Sequence, residues 1–136
     1  MKKNILFICK YNRFRSRIAE QIFNKLNKKR NIKSKSAGII RGSPIDPVQR
    51  RICKQLGIKL EGKPQGISTK LLKWQNMIIV VADDVPINLF KDNKKYGKEL
   101  EIWKIPDAVK NTKAEIIRIV EHIENRVKRL LRDVSR

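Results

Sequence analysis

The sequence is poor in the residues that crosslink chains or bind transition metals. Cys9 and Cys53 are the two cysteines among 136 residues, too few for a framework of disulfides. His122 is the one histidine, so the chain offers no Cys/His cluster of the kind that holds zinc. The composition therefore excludes a disulfide-stabilised scaffold and a zinc-binding module.

Long hydrophobic runs are also missing. The strongest apolar run, residues 77–82, is far shorter than the roughly 20 residues of a membrane-spanning helix. The run at residues 5–8 is too short for the hydrophobic region of a signal peptide. We therefore expect a cytoplasmic protein with reduced thiols and no membrane contact. With 40% hydrophobic residues, positions 1–136 are expected to fold as a single domain.

Acidic residues are scarce in the first part of the chain. Residues 1–60 contain 17 lysines and arginines but only Glu20 and Asp46, which gives +15 of the total formal charge of +20. Such an excess attracts polyanions, including nucleic acid, and steers small phosphorylated substrates. The other interpretation, given equal weight, is a solvated lysine-rich surface with no specific role. Nonspecific polyanion binding therefore stays open.

Residues 4–20, NILFICKYNRFRSRIAE, join a strand pattern to a helix pattern. Residues 4–9 have the length of a strand and are continuously apolar from Ile5 onward, and apolar residues recur at helical spacing after Arg15. Backbone N–H groups of a loop between a strand and a helix N-terminus converge on one small volume, which suits an anion. We therefore predict a phosphate-binding loop. Its residues are Lys10, Tyr11, Asn12, Arg13, Phe14 and Arg15.

Cys9 at the base of this loop is a candidate nucleophile. The helix N-terminus and Arg15 favour its thiolate, and Ser16 can hydrogen-bond to the sulfur. Arg15 carries the planar fork that clamps two phosphate oxygens. Asn12 suits a tight anion-binding loop because asparagine tolerates the left-handed backbone region. Cys53 lies on the apolar face of a predicted helix, which indicates a core residue.

Strand and helix patterns alternate along the rest of the chain. Strands are predicted at residues 4–9, 32–37, 77–82 and 100–105. Helices are predicted after Arg15 with Ser16 as N-cap, at 48–56, at 68–74 and from 113 to 134. This alternation predicts an α/β fold with a four-stranded parallel sheet and helices on both faces. The site then lies at the carboxyl ends of the strands.

Three motifs resemble the low-molecular-weight protein tyrosine phosphatase family, which also includes the thioredoxin-coupled arsenate reductases. They are the loop Cys9-x5-Arg15-Ser16, Ser36-Ala37-Gly38, and Ile105-Pro106-Asp107 before the last helix, and they occur in this order over nearly the whole chain. The resemblance implies a single phosphatase-like domain with strand order 2-1-3-4. It implies no cofactor and no metal.

The resemblance also assigns roles to individual residues. It implies that Cys9 becomes a phosphocysteine, that Arg15 clamps the phosphate, and that Ser16 is the hydroxyl partner of the thiolate. Asp107 matches the general acid that protonates the leaving oxygen and then activates water. A plain N-cap of the last helix is the alternative interpretation of Asp107.

Other loop positions either match or depart from the family. Ser36 matches the serine that braces the loop asparagine, here Asn12, in its strained conformation. The family usually has a glycine where Tyr11 stands, and many members have a second cysteine where Phe14 stands. Losing that cysteine removes the vicinal disulfide that protects many members against oxidation.

Three functions follow as hypotheses. The first is phosphomonoester hydrolysis by a protein tyrosine phosphatase acting on a phosphorylated protein or a small phosphoester. The second is arsenate reduction, ranked lower because its thiol relay needs two further cysteines, only Cys53 remains, and Asp83 and Asp84 follow the third strand. The third is a non-catalytic basic module that binds nucleic acid, which lacks the interleaved aromatic residues typical of such surfaces. No pattern predicts the oligomeric state.

Overall fold

The computed structural model describes residues 2–41 and 43–135 and contains a four-stranded parallel sheet in the order β2-β1-β3-β4. The strands are β1 (Lys3–Cys9), β2 (Ile32–Gly38), β3 (Met77–Val81) and β4 (Glu99–Trp103). The helices are α1 (Arg15–Leu26), α2 (Pro47–Gln55), α3 (Thr69–Trp74), α4 (Asp92–Lys95) and α5 (Lys113–Val134), with a 3₁₀ turn at Ile87–Phe90. The predicted fold class and strand order are confirmed.

β1 lies inside the sheet, between β2 and β3. Its pairing with β2 runs from Lys3 opposite Ile32 to Cys9 opposite Gly38, and its pairing with β3 begins at Ile5. The continuous apolar sequence of β1 fits this position because both faces of a central parallel strand are covered. Cys9, the last residue of β1, is therefore held at the carboxyl edge of the sheet by the neighbouring strand.

The two faces of the sheet are covered by different helices. Phe7 and Ile79 belong to the larger core cluster, which α1, α2 and α5 cover. Leu6 and Ile78 belong to the smaller cluster on the other face, which α3 and the 3₁₀ turn cover. Alternate side chains of each strand thus enter different cores, as the pleat of a strand requires.

Several element ends differ from the sequence-based prediction. β2 continues through Gly38 because this residue pairs with Cys9. β4 ends at Trp103, where the N–H of Ile105 bonds back to the Trp103 carbonyl, 2.8 Å away, although the Ile105 carbonyl still accepts the Asp83 N–H at 3.1 Å. The N-cap prediction for Ser16 is wrong, since α1 begins at Arg15. Phe14 is the N-cap residue, and its side chain makes no capping hydrogen bond.

α5 is the long amphipathic helix that the spacing of apolar residues predicted. Thr112 caps it by accepting the Glu115 N–H, and its buried residues lie against the larger core. Among the helices of the described ranges, none is both long enough and apolar enough to cross a lipid bilayer. The apolar face of α5 packs against α1 and α2 within the larger core cluster.

The burial of Ile123 makes it a test of this packing. Ile123 is fully buried on α5, so replacing it with alanine is expected to lower the free energy of unfolding by about 2–5 kcal/mol through lost contacts and a cavity. The neighbouring His122 is exposed, and His122→Ala is the matched control, with a change within about 0.5 kcal/mol. Urea denaturation measures both, and equal effects would contradict the assigned register of α5.

Candidate active site

The turn between β1 and α1 encloses the sulfur of Cys9. The Cys9 side chain is buried, and its Sγ lies 3.0 Å from the Ser16 hydroxyl oxygen. The backbone N–H of Asn12 points at the same sulfur from 3.3 Å. These donors belong to the turn and to the first helical residues, and such an arrangement of N–H and O–H groups suits an anion.

Asn12 links this turn to the rest of the molecule. Its φ of 58° lies in the left-handed region that the sequence analysis expected. Its side-chain amide donates to Ser16 Oγ at 2.8 Å and to Ser36 Oγ at 2.9 Å, while its side-chain oxygen accepts the Gln65 N–H at 2.9 Å. The Ser36 hydroxyl in turn donates to the Glu20 carboxylate. The conformation of Asn12 is thus fixed by contacts on three sides.

Gly38 allows the phosphate loop to approach β2 closely. A Cβ atom at Gly38 would stand 2.5 Å from the carbonyl carbon of Tyr11 and 2.7 Å from the backbone nitrogen of Asn12. Both atoms are backbone, so they cannot move aside as the end of a side chain can. Position 38 therefore requires glycine, because the loop leaves no space for a side chain. This explains the glycine at the end of the Ser36-Ala37-Gly38 motif.

Arg15 is a buried cation surrounded by acceptors from the ends of β3 and β4. One Nη1 hydrogen goes to the Ile105 carbonyl at 2.9 Å, and Nη2 donates to both carboxylate oxygens of Asp84 at 2.9 and 3.1 Å. Asp83 lies 3.7 Å from Nη1. A guanidinium has five N–H groups, so these bonds fix its plane and leave hydrogens for a bound oxyanion.

Asp107 also lies beside Arg15, with its Oδ1 3.9 Å from the Arg15 Nε. The same Oδ1 accepts the backbone N–H of Ala108 at 2.9 Å, and the side chain is 30% exposed. The N-cap interpretation of Asp107 is wrong because Thr112 caps α5. The carboxyl group is thus positioned by its own turn and faces the phosphate loop.

Of the remaining loop residues, one is buried in the core, and the other three, here called the rim, lie at the surface of the loop. Phe14 is 2% exposed and belongs to the larger core cluster. Lys10, Tyr11 and Arg13 are half-buried at the surface of the loop. The catalytic and phosphate-binding roles of all these residues stay predictions, but the fold brings Cys9 and the other predicted residues to one edge of the sheet.

Arg17 and Gln65 support the loop and were missed by the sequence analysis. The Nε of Arg17 donates to the Asn12 carbonyl at 2.6 Å, and its two Nη atoms donate to the carbonyls of Glu61 and Lys63. The side-chain amide of Gln65 donates a hydrogen bond to the backbone carbonyl of Ser36. Nothing in the spacing of Arg17 distinguishes it from a solvated basic residue, since its partners are 44 and 46 positions away.

Cys53 lies apart from this network, on the buried face of α2. Its side chain is fully buried in the larger core, and burial raises the pKa of its thiol to about 11. A thiol of this kind stays protonated at neutral pH and reacts poorly. The core assignment from the sequence agrees with this position.

Residues 4–136 match the sequence model of the family described as low molecular weight phosphotyrosine protein phosphatase. The chain belongs to this family. It is a family of enzymes that comprises phosphatases and oxyanion reductases. Comparison with curated protein sequences finds no match.

Solved structures of the same fold cover nearly the whole chain. The arsenate reductase of Archaeoglobus fulgidus is 24% identical, with a TM-score of 0.71 over 93% of this chain and 98% of its own. The YwlE arginine phosphatase of Geobacillus stearothermophilus is 18% identical, with a TM-score of 0.80 over 98% and 93%. A low-molecular-weight protein tyrosine phosphatase from T. tengcongensis is 20% identical, with a TM-score of 0.80 over 97% and 99%. At these identities the likeness establishes the fold.

Gly38→Ala tests the close approach of the loop to β2. We expect the loop to be displaced and the dissociation constant of inorganic phosphate or orthovanadate, measured by calorimetry, to rise by at least about tenfold, or 1.4 kcal/mol. Gly97→Ala is the control for backbone strain, because Gly97 has a φ of 77° and no atom within 4 Å of a built Cβ. That variant should lose about 1–2 kcal/mol of stability and keep anion affinity. Unchanged affinity in Gly38→Ala would contradict the steric argument.

Proposed function

We propose that this member of the low-molecular-weight phosphatase family hydrolyses phosphomonoesters, as a protein tyrosine phosphatase, through a phosphocysteine on Cys9. The observation that carries the proposal is the position of the Cys9 sulfur, 3.0 Å from the Ser16 hydroxyl and 3.3 Å from the Asn12 nitrogen, in the turn that also presents Arg15. Thiolate, backbone donors and guanidinium are the groups that a phosphoryl transfer to sulfur requires.

In the first step the Cys9 thiolate attacks the phosphorus atom, and an S–P bond forms as the P–O bond to the leaving group breaks. The loop N–H groups and the N–H groups that Arg15 has left stabilise the equatorial oxygens of the transferring phosphoryl group. Asp107, in its protonated form, gives its proton to the departing oxygen. Its position beside Arg15, at 3.9 Å, supports this role.

In the second step water attacks the phosphocysteine, and the S–P bond breaks to release inorganic phosphate. The Asp107 carboxylate now accepts a proton from the water, which restores the acid for the next cycle. The Ser16 hydroxyl stabilises the sulfur as it leaves as a thiolate, because it can donate a hydrogen bond to the negative charge. The cycle consumes one water and needs no external electron source.

The buried position of Cys53 disfavours the reductase alternative. A thioredoxin-coupled reductase passes its Cys9 adduct to further thiols that form a disulfide. Cys53 is fully buried, and burial raises the pKa of its thiol to about 11. The residues that follow β3 are Asp83 and Asp84, whose carboxylates form ion pairs with Arg15. The solved structures of this fold include phosphatases and an arsenate reductase, so the ranking depends on the thiols of this chain and not on those likenesses.

Cys9→Ser tests the nucleophile. We expect hydrolysis of para-nitrophenyl phosphate by the purified protein in the presence of a metal chelator, and a loss of at least about 1,000-fold in kcat for Cys9→Ser. Cys53→Ala is the matched control and should retain turnover if the protein stays folded. Full turnover by Cys9→Ser would contradict the mechanism.

Arsenate separates the phosphatase from the reductase. As a phosphate-like anion it should inhibit para-nitrophenyl phosphate hydrolysis competitively. Sustained thioredoxin-dependent reduction of arsenate would instead favour the reductase. Salt-sensitive nucleic-acid binding unaffected by Cys9→Ser, without any turnover, would favour the basic binding module.

Asp107→Ala tests the general acid. Phenyl phosphate has a poor leaving group and needs protonation, whereas para-nitrophenyl phosphate has a good one. We therefore expect kcat/KM, which reports the formation of the phosphocysteine, to fall by about 10²–10⁴-fold for phenyl phosphate and by much less for para-nitrophenyl phosphate. Asp107→Asn, which keeps the shape but cannot donate a carboxylic proton, should behave like the alanine variant. An equal loss of kcat/KM on both substrates would argue for a structural role only.

A further inference from the structure

Three residues at the rim of the phosphate loop form a preorganised cationic group. The Nζ of Lys10 lies 5.3 Å from the centre of the Tyr11 ring, and the Cζ of Arg13 lies 4.8 Å from the same centre. One Nη atom of Arg13 also donates to the Ser43 hydroxyl at 2.8 Å. The aromatic ring and the hydroxyl thus hold both cations near the loop, which lowers the entropy that they lose on binding an anion.

The rim cations lack the close carboxylate partners that Arg15 has. Within residues 2–41 and 43–135, neither Lys10 nor Arg13 forms an ion pair closer than 4.0 Å. Asp46 interacts electrostatically with Arg13, but its Oδ1 is already bonded to two backbone N–H groups of α2 and to the amide of Asn111. The positive charge of the rim therefore stays available to a ligand.

The strand order places the rim cations and the acidic residues on opposite sides of the loop. Ser43, which receives the Arg13 hydrogen bond, follows β2, whereas Asp83 and Asp84 follow β3. β2 and β3 flank β1 on its two sides, so the loop after β1 has a cationic side toward β2 and an acidic side toward β3. A substrate that crosses this loop meets opposite charges on its two sides.

We propose that Lys10, Tyr11 and Arg13 form a second anion subsite that selects phosphorylated proteins with an acidic residue beside the phosphorylated side chain. This inference rests on the proposed function, because it places the phosphoryl group in the loop above Cys9. The acidic residue then lies toward β2, where Arg13 can offer its remaining N–H groups and Lys10 its ammonium. Tyr11 acts as a positioning residue, since its ring holds both cations.

Matched phosphotyrosine peptides with glutamate or glutamine beside the phosphotyrosine provide the test. At about 0.15 M salt, where charges beyond about 8 Å are largely screened, wild type should show a kcat/KM about three- to tenfold higher for the glutamate peptide. The ratio should fall to about one in Lys10→Gln/Arg13→Gln. Both kcat/KM values in the ratio come from the same enzyme preparation, so any general effect of the two substitutions on the loop cancels.

The control removes the same charge from the opposite edge of the sheet. Lys28 and Lys33 are exposed at the amino edge, before and within the start of β2, and Lys28→Gln/Lys33→Gln should keep the peptide preference. Tyr11→Phe should keep it as well because the ring is retained, whereas Tyr11→Leu should reduce it. A loss in the Lys28/Lys33 variant as large as in the rim variant would show that net charge alone is responsible, and would overturn the subsite.

Binding to the Cys9→Ser protein separates failure of the subsite from failure of the proposed function. If neither peptide is hydrolysed by wild type but Cys9→Ser binds the glutamate peptide three- to tenfold more tightly, the hydrolytic function is wrong and the subsite stands. If both peptides are hydrolysed with equal kcat/KM, the subsite is wrong and the hydrolytic function stands. If the double rim variant does not fold, Arg13→Gln alone should lower the ratio at least about twofold, and an unchanged ratio overturns the proposal.

Discussion

The close packing of the phosphate loop against the end of β2 is the constraint on which the site depends. Gly38 leaves room for the loop backbone, and Asn12 can then turn with a φ of 58° and reach Ser16 and Ser36. This turn aims the Asn12 N–H at the Cys9 sulfur. A side chain at position 38 would remove the space, and the donors would no longer converge. The predicted anion site therefore depends on two parallel strands as much as on one loop.

Buried charge imposes a second requirement on this edge of the sheet. A guanidinium that is 2% exposed must be compensated, because an isolated cation in a protein interior is strongly disfavoured. Asp84, the Ile105 carbonyl and the nearby Asp83 and Asp107 supply this compensation for Arg15. The same carboxylates hold the guanidinium in one plane before any phosphate arrives. Electrostatic compensation and preorganisation are thus achieved by one set of contacts.

The sequence predicted the features of the site that local patterns determine. The buried strand ending at Cys9 follows from its continuous apolar run, and the left-handed turn at Asn12 follows from a residue type that tolerates it. Arg17 and Gln65 were missed because the carbonyls of Glu61 and Lys63, which Arg17 binds, and Asn12, which Gln65 binds, are distant from them in sequence. The N-cap prediction for Ser16 was wrong because α1 begins one residue earlier, at Arg15. The Ser16 hydroxyl is bonded instead to Cys9 and Asn12.

Phe14 connects the phosphate loop to the larger core cluster. Its ring is buried in the same core cluster as residues of α1, β1 and α5, although it stands one residue before Arg15 in the turn predicted to bind an anion. The turn cannot swing away from Cys9 without withdrawing this ring from the core. Opening of the loop would therefore also disturb the larger core cluster, and we expect its amides to exchange more slowly than those of exposed surface loops.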